Sequence, residues 1–241
     1  MNDWTISRDR VLAQRRAEGW MFLIEAARDL RTTGAIAPSG RALCRARTDP
    51  LRNVAGRPLT VLEVGSGTGA VTRALIPQLS RGSRLDAVEA NPRFVARLRD
   101  LVSSHPHVPG TPRHVEVHQT YVERLDTDQR YDVIISGTPL TNFTPVQVDR
   151  IMARYMELLH PGGTLTYFAY LGTRAIRTLT ASRAEARRHT AVEVVMSTYR
   201  RAYGTGRWTV WANVPPAHVR YPRRPLVTAD RPKSRSAEAK R

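Results

Sequence analysis

The sequence predicts an α/β fold: a doubly wound, mostly parallel sheet with an amphipathic helical extension at its N-terminus. Three observations carry this reading. From Leu59 onward, short apolar stretches alternate with amphipathic ones, the order required by a parallel sheet covered by helices on both faces. The first apolar stretch runs directly into glycines at 65, 67 and 69. The composition, 41% hydrophobic and 24% charged over 241 residues, is that of a chain able to bury a substantial core.

Residues 8–31 read as a helix, because Leu12, Trp20, Leu23, Ala27 and Leu30 recur near helical spacing with Arg8, Arg15, Arg16 and Arg28 between them. Met21, Phe22 and Ile24 widen the apolar stripe beyond one packing face, which suits a helix lying in a membrane interface. Gly34 and Pro38 break the chain. Ser39 is placed to cap a second helix over about 40–47, and Pro50, Gly56 and Pro58 predict a loop over 48–58. Strands are expected at 60–64, 84–89, 114–119, 131–136 and 164–170, with helices at 70–79, 92–102 and 146–159 and a turn at 161–163. A helix over 175–189 and a final pair of strands at 192–199 and 207–214 complete the pattern. After Tyr221 the chain is rich in Pro, Arg and Ser and is expected to be disordered. The organisation predicted is an N-terminal extension (1–58), a central domain (59–221) and a basic tail (222–241).

The formal net charge is +17, from 38 basic and 21 acidic residues. It is concentrated in 1–60, 173–207 and 220–241, while the central block is neutral. Basic flanks attract polyanions, either an anionic membrane surface or nucleic acid. Only Lys233 and Lys240 are lysines, so an arginine-rich genome composition is the alternative reading of the skew. Cys44 is the only cysteine, which excludes a disulfide framework and a four-cysteine zinc site; no metal is expected. The apolar run Trp20–Ile24 is far shorter than the roughly 20 residues that cross a bilayer, and residues 1–25 lack the pattern of a signal peptide. A cytoplasmic protein associated peripherally with the inner face of the membrane is therefore expected.

Chemistry concentrates where strands end. In Val61-Leu-Glu-Val-Gly-Ser-Gly-Thr-Gly69 a strand enters a glycine-spaced loop and a helix begins. Ligands of open parallel sheets sit beyond the carboxyl ends of the strands, where this loop lies. A pyrophosphate site would place the third glycine three residues after the second; here it follows after two. Glu63 would also repel a phosphate. Glu89 ends the second strand, 26 residues after Glu63, and a carboxylate there can accept both hydroxyls of a ribose. Ser136-Gly-Thr-Pro-Leu-Thr-Asn142 follows the fourth strand, and Leu158-Leu-His-Pro-Gly-Gly163 precedes the fifth.

On these motifs the sequence resembles class I, S-adenosylmethionine-dependent methyltransferases over roughly residues 59–214. The resemblance implies a Rossmann-like fold and S-adenosyl-L-methionine as cofactor. It places Glu63, Gly65, Ser66, Gly67, Thr68, Gly69, Glu89, Ala90 and Ser136 at the cofactor. The third-strand Asp that usually reads the adenine in that family is missing from His118-Gln-Thr-Tyr121, which leaves Thr120 and Tyr121 as substitutes. A narrower resemblance is to bacterial phospholipid N-methyltransferases, which convert phosphatidylethanolamine towards phosphatidylcholine. It rests on Thr33-Gly-Ala-Ile-Ala-Pro-Ser39, Ser136–Phe143, Thr166-Tyr-Phe-Ala-Tyr170 and Asn213-Val-Pro-Pro-Ala217. It implies an amine-bearing lipid as substrate, with an anionic membrane surface as partner.

For such an acceptor, aromatic faces stabilise a methylated ammonium, and Tyr155, Tyr167, Tyr170, Tyr199, Tyr203 and Trp211 are candidate walls. Tyr170, ending the fifth strand on the ligand side, is the candidate catalytic residue. Asn142, Arg174 and Arg177 are candidates for holding the substrate, the arginines through paired donors to a lipid phosphate. His160 and His189 are candidate bases. The alternatives are an rRNA adenine methyltransferase or a small-molecule methyltransferase. Nucleic acid is the less favoured partner, because Thr138–Phe143 lacks the Asn-apolar-Pro-aromatic order that the rRNA adenine enzymes share.

Overall fold

The computed structural model describes residues 38–52, 54, 56–106, 114–170, 183–212 and 216–226. The predicted helix over 8–31, Arg174, Arg177 and most of the basic tail lie outside these residues.

Seven strands form one sheet in the order β3-β2-β1-β4-β5-β7-β6. β1 (Thr60–Val64), β2 (Arg84–Glu89), β3 (His114–Gln119), β4 (Tyr131–Ser136) and β5 (Leu159–Tyr170) run parallel. β6 (Thr205–Val210) and β7 (Ala217–Pro222) close one edge antiparallel, β7 lying between β5 and β6. The order reverses between β1 and β4, and that is where an open α/β sheet leaves its ligand crevice.

Helices α1 (Pro38–Arg52), α2 (Ala70–Leu75), α3 (Pro92–Ser104), α4 (Pro145–Leu158) and α5 (Arg183–Tyr203) flank the sheet. On one face Leu51, Val61, Val71, Leu75, Leu85 and Val133 form a core cluster. On the other, Leu62, Ile134, Tyr155, Leu165, Val192 and Met196 form the larger one. β1, β2 and β4 thus feed both clusters by alternation, as strands covered on both sides require.

The structure corrects several expected elements. α1 continues to Arg52 through Pro50, where a loop was expected, and Ser39 falls inside this helix instead of capping it. The helix over 70–79 stops at Leu75 and tightens into a 3₁₀ turn at Ile76–Gln78, because Pro77 has no N–H for a further α-helical bond. The turn at 161–163 is a bulge within β5: pairing passes from Tyr131–Leu159 to Val133–Thr164. Residues 192–199 are helix, not strand. Val192, Val195, Met196, Tyr199 and Tyr203 recur at helical spacing and pack on the larger cluster, so tertiary burial overrides the β-preference of the valines. The closing hairpin is therefore Thr205–Val210 with Ala217–Pro222, shifted towards the C-terminus from the expected pair. No helix among the described residues is long and apolar enough to cross a membrane.

Candidate active site

The glycine loop is tied to the end of β2. Val88 O accepts the Gly65 N–H at 2.8 Å and the Ser66 N–H at 3.3 Å, and Ser66 O accepts the Gly69 N–H at 3.0 Å. Gly67 holds φ +57°, the left-handed region that costs a branched side chain most. In that conformation its N–H donates to Glu89 Oε2 at 2.7 Å. Glu89 Oε1 accepts from the Asn91 N–H at 2.9 Å, and Asn91 Oδ1 in turn caps α3 by accepting from the Arg93 N–H at 3.0 Å. Glu89 is 9% exposed, and Ala90 beside it is half-buried. Thr68 is half-buried at the loop's outer turn.

Glu63 lies beneath this loop, wholly buried, and accepts from Thr72 Oγ1 at 2.5 Å. Burial pushes its carboxyl up to about 7, against the Thr72 hydrogen bond and the attraction of Arg47. Arg47 reaches in from α1. It is 7% exposed, and its guanidinium sits 5.1 Å over the Phe168 ring. Its Nη2 also lies close to Gly137. Gly137 joins the β4 end to the glycine loop: its N–H donates to Val64 O at 2.6 Å, and a Cβ on it would stand 2.4 Å from Gly65 O. Only a glycine allows that approach.

Ser136 is buried completely at the end of β4. Its hydroxyl lies 3.0 Å from Tyr155 Oη and accepts from the Thr138 N–H at 3.3 Å. That oxygen shapes the turn under the site. The loop after β4 forms a short 3₁₀ turn, Leu140–Asn142, with Asn142 half-buried. Arg188 on α5 clamps this loop by donating to Thr141 O at 3.2 Å and Phe143 O at 3.0 Å. Beside Glu89, the Thr120 N–H donates to Glu89 O at 3.2 Å, while Tyr121 is 58% exposed.

The structure brings together the glycine loop, Glu89, Ala90, Thr120 and the β4 end. It separates most of the candidate aromatic walls from them. Tyr167 is buried in the core; Tyr155 is buried too, but its hydroxyl meets Ser136 at the β4 end. Tyr199 and Tyr203 stack, ring centroids 6.0 Å apart, and line a cavity of about 650 Å³ with Met156 and Arg224. That cavity lies at the opposite end of the sheet, because Tyr203 O accepts from the Arg223 N–H beside the amino ends of β4 and β5. His160 is exposed at that same end, which removes it from the candidate bases. Trp211 is 75% exposed. The main chain of Tyr170 pairs with Ala217 at the carboxyl end of β5, on the ligand side; its side chain lies outside the described residues.

Sequence reasoning missed Arg47, Thr72 and Arg188. Arg47 was legible in principle: it follows Leu43 by one helical turn and so interrupts an apolar stripe that faces the sheet. Thr72 meets Glu63 only because the glycine loop folds the start of the next helix back over the strand end, and Arg188 acts on carbonyls distant in sequence, so neither leaves a local signal.

Comparison with known proteins agrees with this geometry. Residues 61–163 match the methyltransferase domain family. Ornithine lipid N-methyltransferase of Singulisphaera acidiphila is 26% identical over 133 residues, 54% of this chain and 66% of that protein. The aligned part is thus just under two thirds of that relative's length. Among solved structures, the N-methyltransferase NodS from Bradyrhizobium japonicum, in complex with S-adenosyl-L-homocysteine, superposes with a TM-score of 0.57 at 21% identity, covering 79% of this chain and 89% of its own. Magnesium protoporphyrin IX methyltransferase from Synechocystis gives 0.59 at 12% identity, covering 92% and 100%. Residues 61–163 thus match a methyltransferase domain, and the sheet shares its fold with methyltransferases, so the cofactor to test against the site is S-adenosyl-L-methionine.

The residues present fit that cofactor. A ribose diol needs an acceptor-only partner. Each Glu89 oxygen takes one main-chain N–H and, as a carboxylate oxygen, keeps a further acceptor position.

Proposed function

We propose that this protein N-methylates an amine-bearing membrane lipid, with phosphatidylethanolamine towards phosphatidylcholine as the candidate conversion, at an anionic membrane surface on the cytoplasmic side. The observation that carries the acceptor class is the match to an ornithine lipid N-methyltransferase over 133 residues. Ornithine lipid and phosphatidylethanolamine both offer an ammonium on a lipid body.

When bound, the cofactor supplies an electrophilic sulfonium methyl. The chain's own task is to position the acceptor nitrogen in line with it and to let the ammonium lose its proton first. In this reading Glu89 holds the ribose, the segment Gly65–Gly69 takes the methionine part, and Ala90, Thr120 and Tyr121 flank the adenine. The main chain at Ser136 and Asn142 borders the transfer point, Tyr170 walls the acceptor, and Arg174 and Arg177 hold its phosphate. The Arg188 clamp keeps the loop after β4 in place while the acceptor enters.

The test is incubation with isotopically labelled cofactor and a total lipid extract, followed by chromatography of the products. Label in mono-, di- or trimethylated phosphatidylethanolamine is expected. Label confined to added RNA or to a water-soluble amine would replace the lipid acceptor by one of the alternatives.

A further inference from the structure

We propose that the β6–β7 hairpin is a docking edge that seats the protein on an anionic lipid surface beside the acceptor end of the site. This rests on the lipid-acceptor reading and deepens it by naming the surface. Tyr170, at the carboxyl end of β5, pairs with Ala217, and Ala217 pairs with Val210. The end of β6 and the start of β7 therefore lie at the same end of the sheet as the glycine loop. Trp211 is the first residue past β6 and is 75% exposed; Trp208, within β6, is 64% exposed.

The register explains why Trp208 is uncovered. It pairs with Val219, on the face where Val210, Ala217, Val219 and Leu43 of α1 form a cluster. That cluster is closed over its other members, while the indole stands at the sheet edge in solvent. Edge strands of soluble domains are ordinarily shielded by charge or cover, not by large aromatics. An indole has an apolar body and a polar N–H, the combination that settles at a membrane interface.

The other face of the hairpin is cationic. Tyr167, Arg220 and Arg207 form one row across β5, β7 and β6. Arg200 of α5, paired with Glu193, is packed above that row. Edge-on entry would put the indoles at the acyl boundary and the guanidiniums among the headgroup phosphates, each arginine adding roughly fivefold to partitioning at low salt. A single-stranded nucleic acid needs stacking surface and phosphate contacts within one groove. Here they lie on opposite faces of the hairpin, which favours the lipid surface.

The chain has four tryptophans, so a full-length W4F/W20F variant reports from Trp208 and Trp211 alone. It is mixed with phosphatidylethanolamine/phosphatidylglycerol vesicles carrying brominated acyl chains. A blue shift with quenching of about half the emission or more is expected, weakening at high salt. Trp208→Ser in the otherwise natural chain should lower vesicle partitioning severalfold. It should leave cofactor affinity by calorimetry unchanged, along with turnover of short-chain phosphatidylethanolamine below its critical micelle concentration. Co-sedimentation without quenching overturns the hairpin as the contact and leaves the lipid acceptor standing. Quenching by RNA and not by vesicles overturns it in favour of nucleic acid. Quenching by vesicles, with no methylation of the short-chain lipid, upholds docking and rejects the acceptor.

Discussion

The hydroxyl of Tyr221 donates to the main-chain carbonyl of Ala46 at 2.8 Å, across 175 residues of sequence. Ala46 is the residue four before Pro50, so its carbonyl is the one that a proline at position 50 leaves without a helical donor. The last strand thus repairs the first described helix, and that helix carries Arg47 into the site. Tyr221→Phe keeps the ring but removes the donor. It should lower stability by about 1–2 kcal/mol, read as a shift in urea midpoint with an unchanged slope.

This contact also shows where sequence reading succeeds and where it stops. β1 through β4, the glycine loop and Glu89 were legible because alternation, glycine spacing and strand ends are local signals. The extension of α1 through Pro50 was not, because the hydroxyl that tolerates it lies on β7. Residues 192–199 were misread because short valine runs suit either period, and only packing against α4 decides for helix. At the site, the loop sequence marked Glu63 and Glu89 equally. Their different placements, one buried against Thr72 and one aimed across the loop at Gly67, emerge only in three dimensions.

Glu89→Ala should weaken cofactor binding by roughly 1–3 kcal/mol, because it removes the acceptor for the ribose and orphans the N–H groups of Gly67 and Asn91. Calorimetric titration checks this. Normal affinity with depressed turnover would move Glu89 out of the ribose role.

Gly67→Val should abolish measurable cofactor binding while the far-ultraviolet circular dichroism stays native. At φ +57° a β-branched residue clashes with its own main chain, so the loop must shift. The shift breaks the 2.7 Å bond to Glu89 and leaves the sheet beneath intact. Unchanged affinity would show that the loop does not touch the ligand.

Glu63 makes stability depend on pH near neutrality. Its carboxyl titrates at about 7 in the folded chain against an ordinary 4.5, chiefly through burial, so the folded state holds the proton more tightly than the unfolded one. The stabilisation is complete below the ordinary value and is lost as pH rises through about 7. Between pH 5.5 and 8.5 the unfolding free energy should therefore fall by roughly 2 kcal/mol from this group, judged as the difference between the natural chain and Glu63→Gln. Asp86 does not interfere in that window. Burial opposes its ionisation, yet hydrogen bonds from Arg84, His118 and Tyr131 hold it below the usual carboxylate range. Arg47 supplies the control: its positive charge opposes the rise at Glu63, and Met keeps an unbranched apolar stem while removing that charge. In Arg47→Met the pH at which stability falls should move above that of the natural chain, with an added loss of about 1 kcal/mol as the guanidinium leaves the Phe168 ring. The double variant Arg47→Met/Glu63→Gln should show neither the fall nor its displacement. Urea unfolding of all four forms across the pH range settles the matter. A displaced fall that persists in the double variant would assign the titration to a group other than Glu63.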